Sequence, residues 1–205
     1  MSFNSKLVAM PHLRTILFAP AMALLSHMPL SSAAPPSPEM SRLLDCLSEG
    51  AEYTKMGLFF SLGINKETVL HPVRFSTGVS EQRRKAIVEE IYETRPENHR
   101  LFARQVFMRC TAPKPALYSP KTLEYCFSLQ ARLVEFFVAR DGAVPESEVL
   151  SQWNAEMQSR PDVIPWGEIM IKDIYESKKS FPELAPFAFI GCAEKRYRRE
   201  QQDGN

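Results

Sequence analysis

Gly63-Ile64-Asn65-Lys66-Glu67-Thr68-Val69-Leu70 returns later in the chain as Gly142-Ala143-Val144-Pro145-Glu146-Ser147-Glu148-Val149-Leu150. The first stretch follows Cys46 and the second follows Cys126, at intervals that differ by a single position. Further landmarks recur around them in the same order. Ala51 and Ala131 each follow their cysteine by five residues, and a double phenylalanine comes next, Phe59-Phe60 and then Phe136-Phe137. Downstream, Ile91-Tyr92-Glu93-Thr94 is answered by Ile174-Tyr175-Glu176-Ser177. The closing cysteines, Cys110 and Cys192, follow the two tyrosines at intervals that again differ by one position. Weak matches held in order at steady spacing mark two copies of one unit.

The duplication bears on the sulfur chemistry. Four cysteines allow three pairings. Equivalent cysteines in equivalent units pair alike, which predicts Cys46–Cys110 and Cys126–Cys192; the alternative is crossed bridges between the units. Each predicted bridge closes a loop of about 65 residues, and such a loop stabilises by about 4 kcal/mol in the chain-entropy model. A unit of about 70 residues has a thin core and profits from the staple.

Inside each unit the apolar period is helical. Leu44, Leu47, Ala51, Leu58 and Leu62 keep mostly to one face, and Gly63 stops that helix as Gly142 stops its counterpart. Ser80 opens a run bearing Ala86, Ile87, Ile91 and Tyr92 that ends at Arg95-Pro96, and Leu101, Phe102, Val106 and Phe107 form a stripe up to Cys110. Ser119-Pro120 is an N-cap followed by Pro at the first helical position, and Pro145, Pro165 and Pro182 start later segments in the same manner. The predicted fold is all-α: two tandem four-helix repeats, long-short-long-long, each stapled by one disulfide. The stretch 111–118, with Pro113 and Pro115, is a stiff linker that makes the repeats pack together. Tyr92 and Tyr175 are core residues whose hydroxyls find partners near a neighbouring helix. The polar stretch from Lys195 is expected to fray.

The N-terminus reads as an address rather than as fold. Lys6, His12 and Arg14 precede the apolar run 16–25, and Ser31-Ser32-Ala33-Ala34 follows, the three parts of a secretory signal. Ten apolar residues are too few to span a bilayer about 30 Å thick. Cleavage after Ala33 turns the formal charge from +1 to −1, because residues 1–33 hold Lys6 and Arg14 and no acid. The expected organisation is a signal peptide over 1–33, repeats over 34–112 and 113–199, and a disordered tail over 200–205. Localisation is expected to be periplasmic or secreted, where disulfides persist, with no membrane insertion after cleavage. The composition, 44% hydrophobic and 24% charged, excludes wholesale disorder. Near-neutral charge argues against a nucleic-acid partner.

The chemistry inventory is short. His71 and His99 are the histidines left after signal removal, and no HExxH or GxSxG pattern accompanies them. No metal site, no cofactor and no catalytic residue is expected. Glu89-Glu90 and Glu146/Glu148 read as solvated helix surface, as do Arg83-Arg84-Lys85 and Lys195-Arg196-Tyr197-Arg198-Arg199. Trp153 and Trp166 flank the turn 160–165 in the second unit alone; Trp is enriched at binding hot spots, so these two are the candidate partner-binding residues.

A cysteine opening an amphipathic helix, a glycine after it, Ile-Tyr-Glu in a later helix and a closing cysteine together resemble small secreted all-helical domains of proteobacteria. Some of these are similar to periplasmic immunity proteins that neutralise type VI secreted amidases. The resemblance implies docking on an effector and occlusion of its active site. The expected function is non-catalytic protein binding, with immunity-type inhibition of a secreted hydrolase as its sharpest form. The alternative is a carrier of an apolar small molecule in a groove between the repeats, lined by Phe59, Phe60, Phe136 and Phe137.

Overall fold

The computed structural model describes residues 36–71, 76–112, 117–158, 164–177 and 179–203. The expected signal segment 1–33, the centre of the expected linker and most of the turn 160–165 lie outside them. Among the described residues there are eight helices and no strand: α1 (Pro38–Ser61), α2 (Lys66–Leu70), α3 (Glu81–Thr94), α4 (His99–Thr111), α5 (Pro120–Asp141), α6 (Glu146–Glu156), α7 (Ile164–Glu176) and α8 (Phe181–Asp203).

Local chemistry sets most of the starts. Side-chain oxygens of Ser37, Asn65, Ser80, Asn98 and Ser119 each accept from the backbone N–H three residues on, at 2.8–3.3 Å. Ser180 donates its N–H to Glu183 Oε2 at 2.7 Å, the carboxylate half of a capping box before α8.

The ends of α1 and α5 share one hydrogen-bond pattern, in the register that sets Cys46 against Cys126. Leu62, Gly63 and Ile64 donate to the carbonyls of Leu58, Phe60 and Phe59; Gly142, Ala143 and Val144 donate to those of Val138, Arg140 and Ala139. The left-handed residue is Gly63 in one (φ +74°) and Ala143 in the other (φ +60°). Gly142 keeps an ordinary φ of −80°. The expected match of Gly142 to Gly63 is therefore off by one, and the second helix is stopped by an alanine held where glycine is normally preferred. The same register relates the buried pairs Leu43/Leu123, Cys46/Cys126, Ala51/Ala131 and Val69/Val149. It also separates the double phenylalanines: Phe136 and Phe137 stand opposite Met56 and Gly57, not Phe59 and Phe60. Phe137 packs edge-on against Phe181, with ring centroids 5.5 Å apart. In the earlier stretch the narrower Gly57 lies so close to His99 that an added Cβ would stand 2.6 Å from His99 Cβ.

Cys46–Cys110 joins α1 to α4 and Cys126–Cys192 joins α5 to α8, as the spacing predicts; no cysteine is free. Tyr92 donates its hydroxyl to the carbonyl of Ile64, and Tyr175 donates to that of Val144 at 2.8 Å. Each thereby ties a later helix to the turn just past α1 or α5.

The core has two centres. One collects α1, α3 and α4, but Leu123, Phe127, Phe189 and Ala193 enter it from α5 and α8. The other is built on α5 to α8, with Ala51 of α1 at its edge. Phe127 stacks on Phe107 at 4.4 Å, and Phe189 meets Phe107 edge-on at 5.8 Å. Room for Phe127 comes from Gly50: a Cβ there would stand 2.5 Å from the ring. Burying a ring of this size contributes about 1.5–3 kcal/mol. The two disulfide-closed halves interlock.

The polar C-terminal stretch does not fray as expected. It continues α8 to Asp203, so residues 200–203 are helix rather than part of a disordered tail. Glu200 accepts from Ser119 Oγ at 2.7 Å and Thr122 Oγ1 at 2.8 Å, which pins the end of α8 to the start of α5. The Arg196 guanidinium lies 4.3 Å over the Tyr125 ring.

Candidate functional site

Two charged pairs shape the surfaces around them, one buried on α1 and one half-buried on α5. Glu52 and Lys55 face each other one turn apart, Oε2 to Nζ 2.9 Å, both about 1% exposed. Thr77 donates its hydroxyl to the same carboxylate oxygen. Burial pushes the Lys55 ammonium pKa down, against the pull of Glu52. The equivalent positions of α5 hold Arg132 and Glu135, with the signs exchanged, 3.2 Å apart. There the pair is the centre of a larger network. Arg100 of α4 grips Glu135 with Nε at 2.5 Å and Nη2 at 2.8 Å, and both Arg100 and Arg132 reach Glu156 of α6. His99 Nε2 stands 3.5 Å from Glu135.

Burial alone would raise the Glu135 pKa, but His99, Arg100 and Arg132 outweigh it and hold the carboxyl below its ordinary value. Its folded pKa is thus lower than its unfolded one. The stability it contributes is complete above the ordinary carboxylate value, about pH 4, and drains as pH falls through the folded value. Glu135→Gln is expected to flatten the acid limb of a urea-midpoint profile taken from pH 6 to pH 2. An unchanged acid limb would place the acid sensitivity elsewhere.

This network rims a cleft of about 370 Å³ between α4 and the α5–α6 pair. Phe127, Leu129, Met157 and Trp153 form its apolar side, and Arg100, Arg104 and Arg132 its polar side. Glu124 pairs with Arg104 at 2.8 Å, so each of the three guanidinium groups already meets a carboxylate.

A second cleft, about 560 Å³, lies between α5, α7 and α8. Tyr125, Leu129, Trp166 and Phe187 supply its apolar wall. Lys195, Arg196 and Arg199 line the other side. Leu129 belongs to both clefts. Trp153 and Trp166 sit between them, ring centroids 6.1 Å apart.

The predicted site residues divide here. Trp153 is 3% exposed, edge-on to Phe136 at 5.5 Å, with Gly167 pressed so closely on its indole that a Cβ would overlap the ring at 1.9 Å. Its place is in the core and at the floor of the first cleft. Trp166 is half-buried and lines the second. Phe187, 77% exposed, was not singled out by the sequence, nor was Ile169, 59% exposed on α7. Both lie in apolar runs whose helical period does not say which side faces water.

Other candidates are spent on structure. Glu89 pairs with Lys66, and Glu90 accepts from the Tyr53 hydroxyl. Arg83 pairs with Glu49, and Lys85 with Glu81 at 2.8 Å. His71 caps α2 at the surface. Of the four phenylalanines expected in a carrier groove, Phe60 packs edge-on against Tyr92 at 5.3 Å, Phe136 and Phe137 are buried, and none of the four lines either cleft. Among the described residues no three His, Cys, Asp or Glu side chains gather to hold a metal ion, and no helix is long and apolar enough to cross a membrane.

Compared with known proteins, the chain matches no family model, no curated protein and no solved structure.

Proposed function

We propose that the chain is an exported binding protein, two tandem four-helix repeats of common origin, that docks on a protein partner without chemistry of its own. Its sharpest form is immunity-type inhibition: the helical scaffold sits on a secreted hydrolase and occludes the active site. Removal of residues 1–33 and residence in the periplasm or outside the cell belong to the same reading, and two disulfides fit an oxidising compartment.

The observation that carries the reading is the surface along α5, where an exposed Phe187 and a half-buried Trp166 stand beside basic side chains. Aromatic anchors in a desolvated centre with a polar rim are the usual anatomy of a protein contact. The Cys126–Cys192 bridge fixes two helices that border this surface, α5 and α8, so little ordering cost attends association.

Affinity capture with the oxidised protein from the periplasmic extract of its source organism tests the reading. Recovery of one stoichiometric hydrolase, inhibited in the complex, is the expected result. Recovery of a lipid alone, with no protein, would replace docking by carriage.

A further inference from the structure

The two halves differ sharply at one place that the helix register makes comparable. With α5 set on α1 through Cys126 and Cys46, α7 on α3 through Tyr175 and Tyr92, and α8 on α4 through Cys192 and Cys110, the wall residues Leu129, Trp166 and Phe187 correspond to Glu49, Arg83 and Gln105. In the first half Arg83 and Glu49 close on each other as an ion pair, so polar side chains hold these places beside Cys46–Cys110. In the second half the same surface, beside Cys126–Cys192, is a cleft of about 560 Å³ whose wall of Tyr125, Leu129, Trp166 and Phe187 is apolar. Neither disulfide nor helix packing requires that difference, because the first half keeps both with polar residues in those places.

The charge on the cleft is one-sided. Lys195 and Arg199 project from α8 and make no ion pair among the described residues, and Arg196 lies flat on Tyr125. Of the carboxylates beside them in sequence, Glu194 pairs with Arg198 at 3.4 Å, and Glu200 accepts from Ser119 and Thr122 while lying 3.6 Å from Arg196 Nε, so Lys195 and Arg199 are the cations left for a ligand.

We infer that the α5–α7–α8 cleft receives an acidic segment of the protein partner, seating one large apolar side chain between Trp166 and Phe187 with flanking carboxylates on Lys195 and Arg199. The inference rests on the docking reading above and names the chemistry of the contact. Complementary charge favours this occupant over a second copy of the chain, whose own basic rim would be repelled. Concavity favours a peptide side chain over a flat lipid surface: a cleft of this volume encloses a group rather than resting on a plane.

The test uses fluorescence anisotropy of the full oxidised protein with three labelled synthetic peptides. One carries Phe-Leu between two runs of three Glu, one has Lys in place of every Glu, and one keeps Glu but has Ala-Ala at the centre. The first is expected to bind saturably and at least tenfold more tightly than either of the others, and to weaken with added salt. Phe187→Gln and Arg199→Glu, both at exposed positions, should each lower its affinity at least tenfold with the near-UV circular dichroism unchanged. Binding of all three peptides alike, binding of none, or full retention by both variants would overturn the assignment. So would capture of the protein by phosphatidylglycerol vesicles without any peptide binding. The two variants also separate this inference from the reading beneath it. If they still capture the periplasmic partner, docking stands and the cleft assignment falls; if the unsubstituted protein captures none, docking itself falls.

Discussion

Replacing Cys126 and Cys192 together by serine is expected to lower the unfolding free energy by about 4 kcal/mol, the loop-entropy value for a bridge of this span. The bridge joins α5 to α8 across a sequence separation of 66, and its two helices also furnish part of the core beneath α1 and α4. The loss should therefore appear as a lower urea midpoint in a single transition seen alike by far-UV and near-UV circular dichroism. A loss below about 1 kcal/mol would show that packing alone holds α8 in place, an outcome known for engineered bridges. Two separated transitions would contradict the shared core around Phe107, Phe127 and Phe189.

The second large effect lies at Lys55. Lys55→Met leaves the Glu52 carboxylate buried without its cation, and removal of one member of such a pair costs about 3–5 kcal/mol. Glu52→Gln combined with Lys55→Met removes both charges while keeping an acceptor for the Thr77 hydroxyl, so most of the loss should return. Chemical denaturation of the two variants side by side measures this. A double variant as unstable as the single one would mean that the lysine stem, rather than charge balance, is what the site needs.

Much of the architecture could be read from residue order because the chain carries its own internal comparison. Helical period gave the elements, and the recurrence of Cys, Ala and Ile-Tyr-Glu at steady spacing chose the sulfur partners over crossed ones. The errors came where a residue type was taken as a landmark without its conformation. Gly142 looked like the partner of Gly63, yet the left-handed place belongs to Ala143; nothing in an alanine announces a positive φ. The double phenylalanines matched in type but stand out of step by most of a helical turn, and three of the four are placed by a ring they meet: Phe60 by Tyr92, Phe136 by Trp153 and Phe137 by Phe181.

The charged interior was harder to see. Glu52 with Lys55, and Arg132 with Glu135, are i,i+3 pairs of a kind that ordinarily sits in water. Exchange of sign between the halves hides their equivalence from any comparison by residue type. Of the candidate site, the neighbourhood of the two tryptophans was legible and its working face was not. Trp153 is occupied by Phe136 and Gly167, whereas Phe187, inside the apolar run 184–190, faces outward. The polar end of α8 looked loose because its anchors, Ser119 and Thr122, lie far back in the sequence, at the start of α5.

Seating Phe127 over Gly50 has a cost for the gene as well as a benefit for the protein. Once that ring occupied its slot, neither half could be deleted, or lent to another chain as a portable cassette, without uncovering Phe107 and opening a hole in what remained.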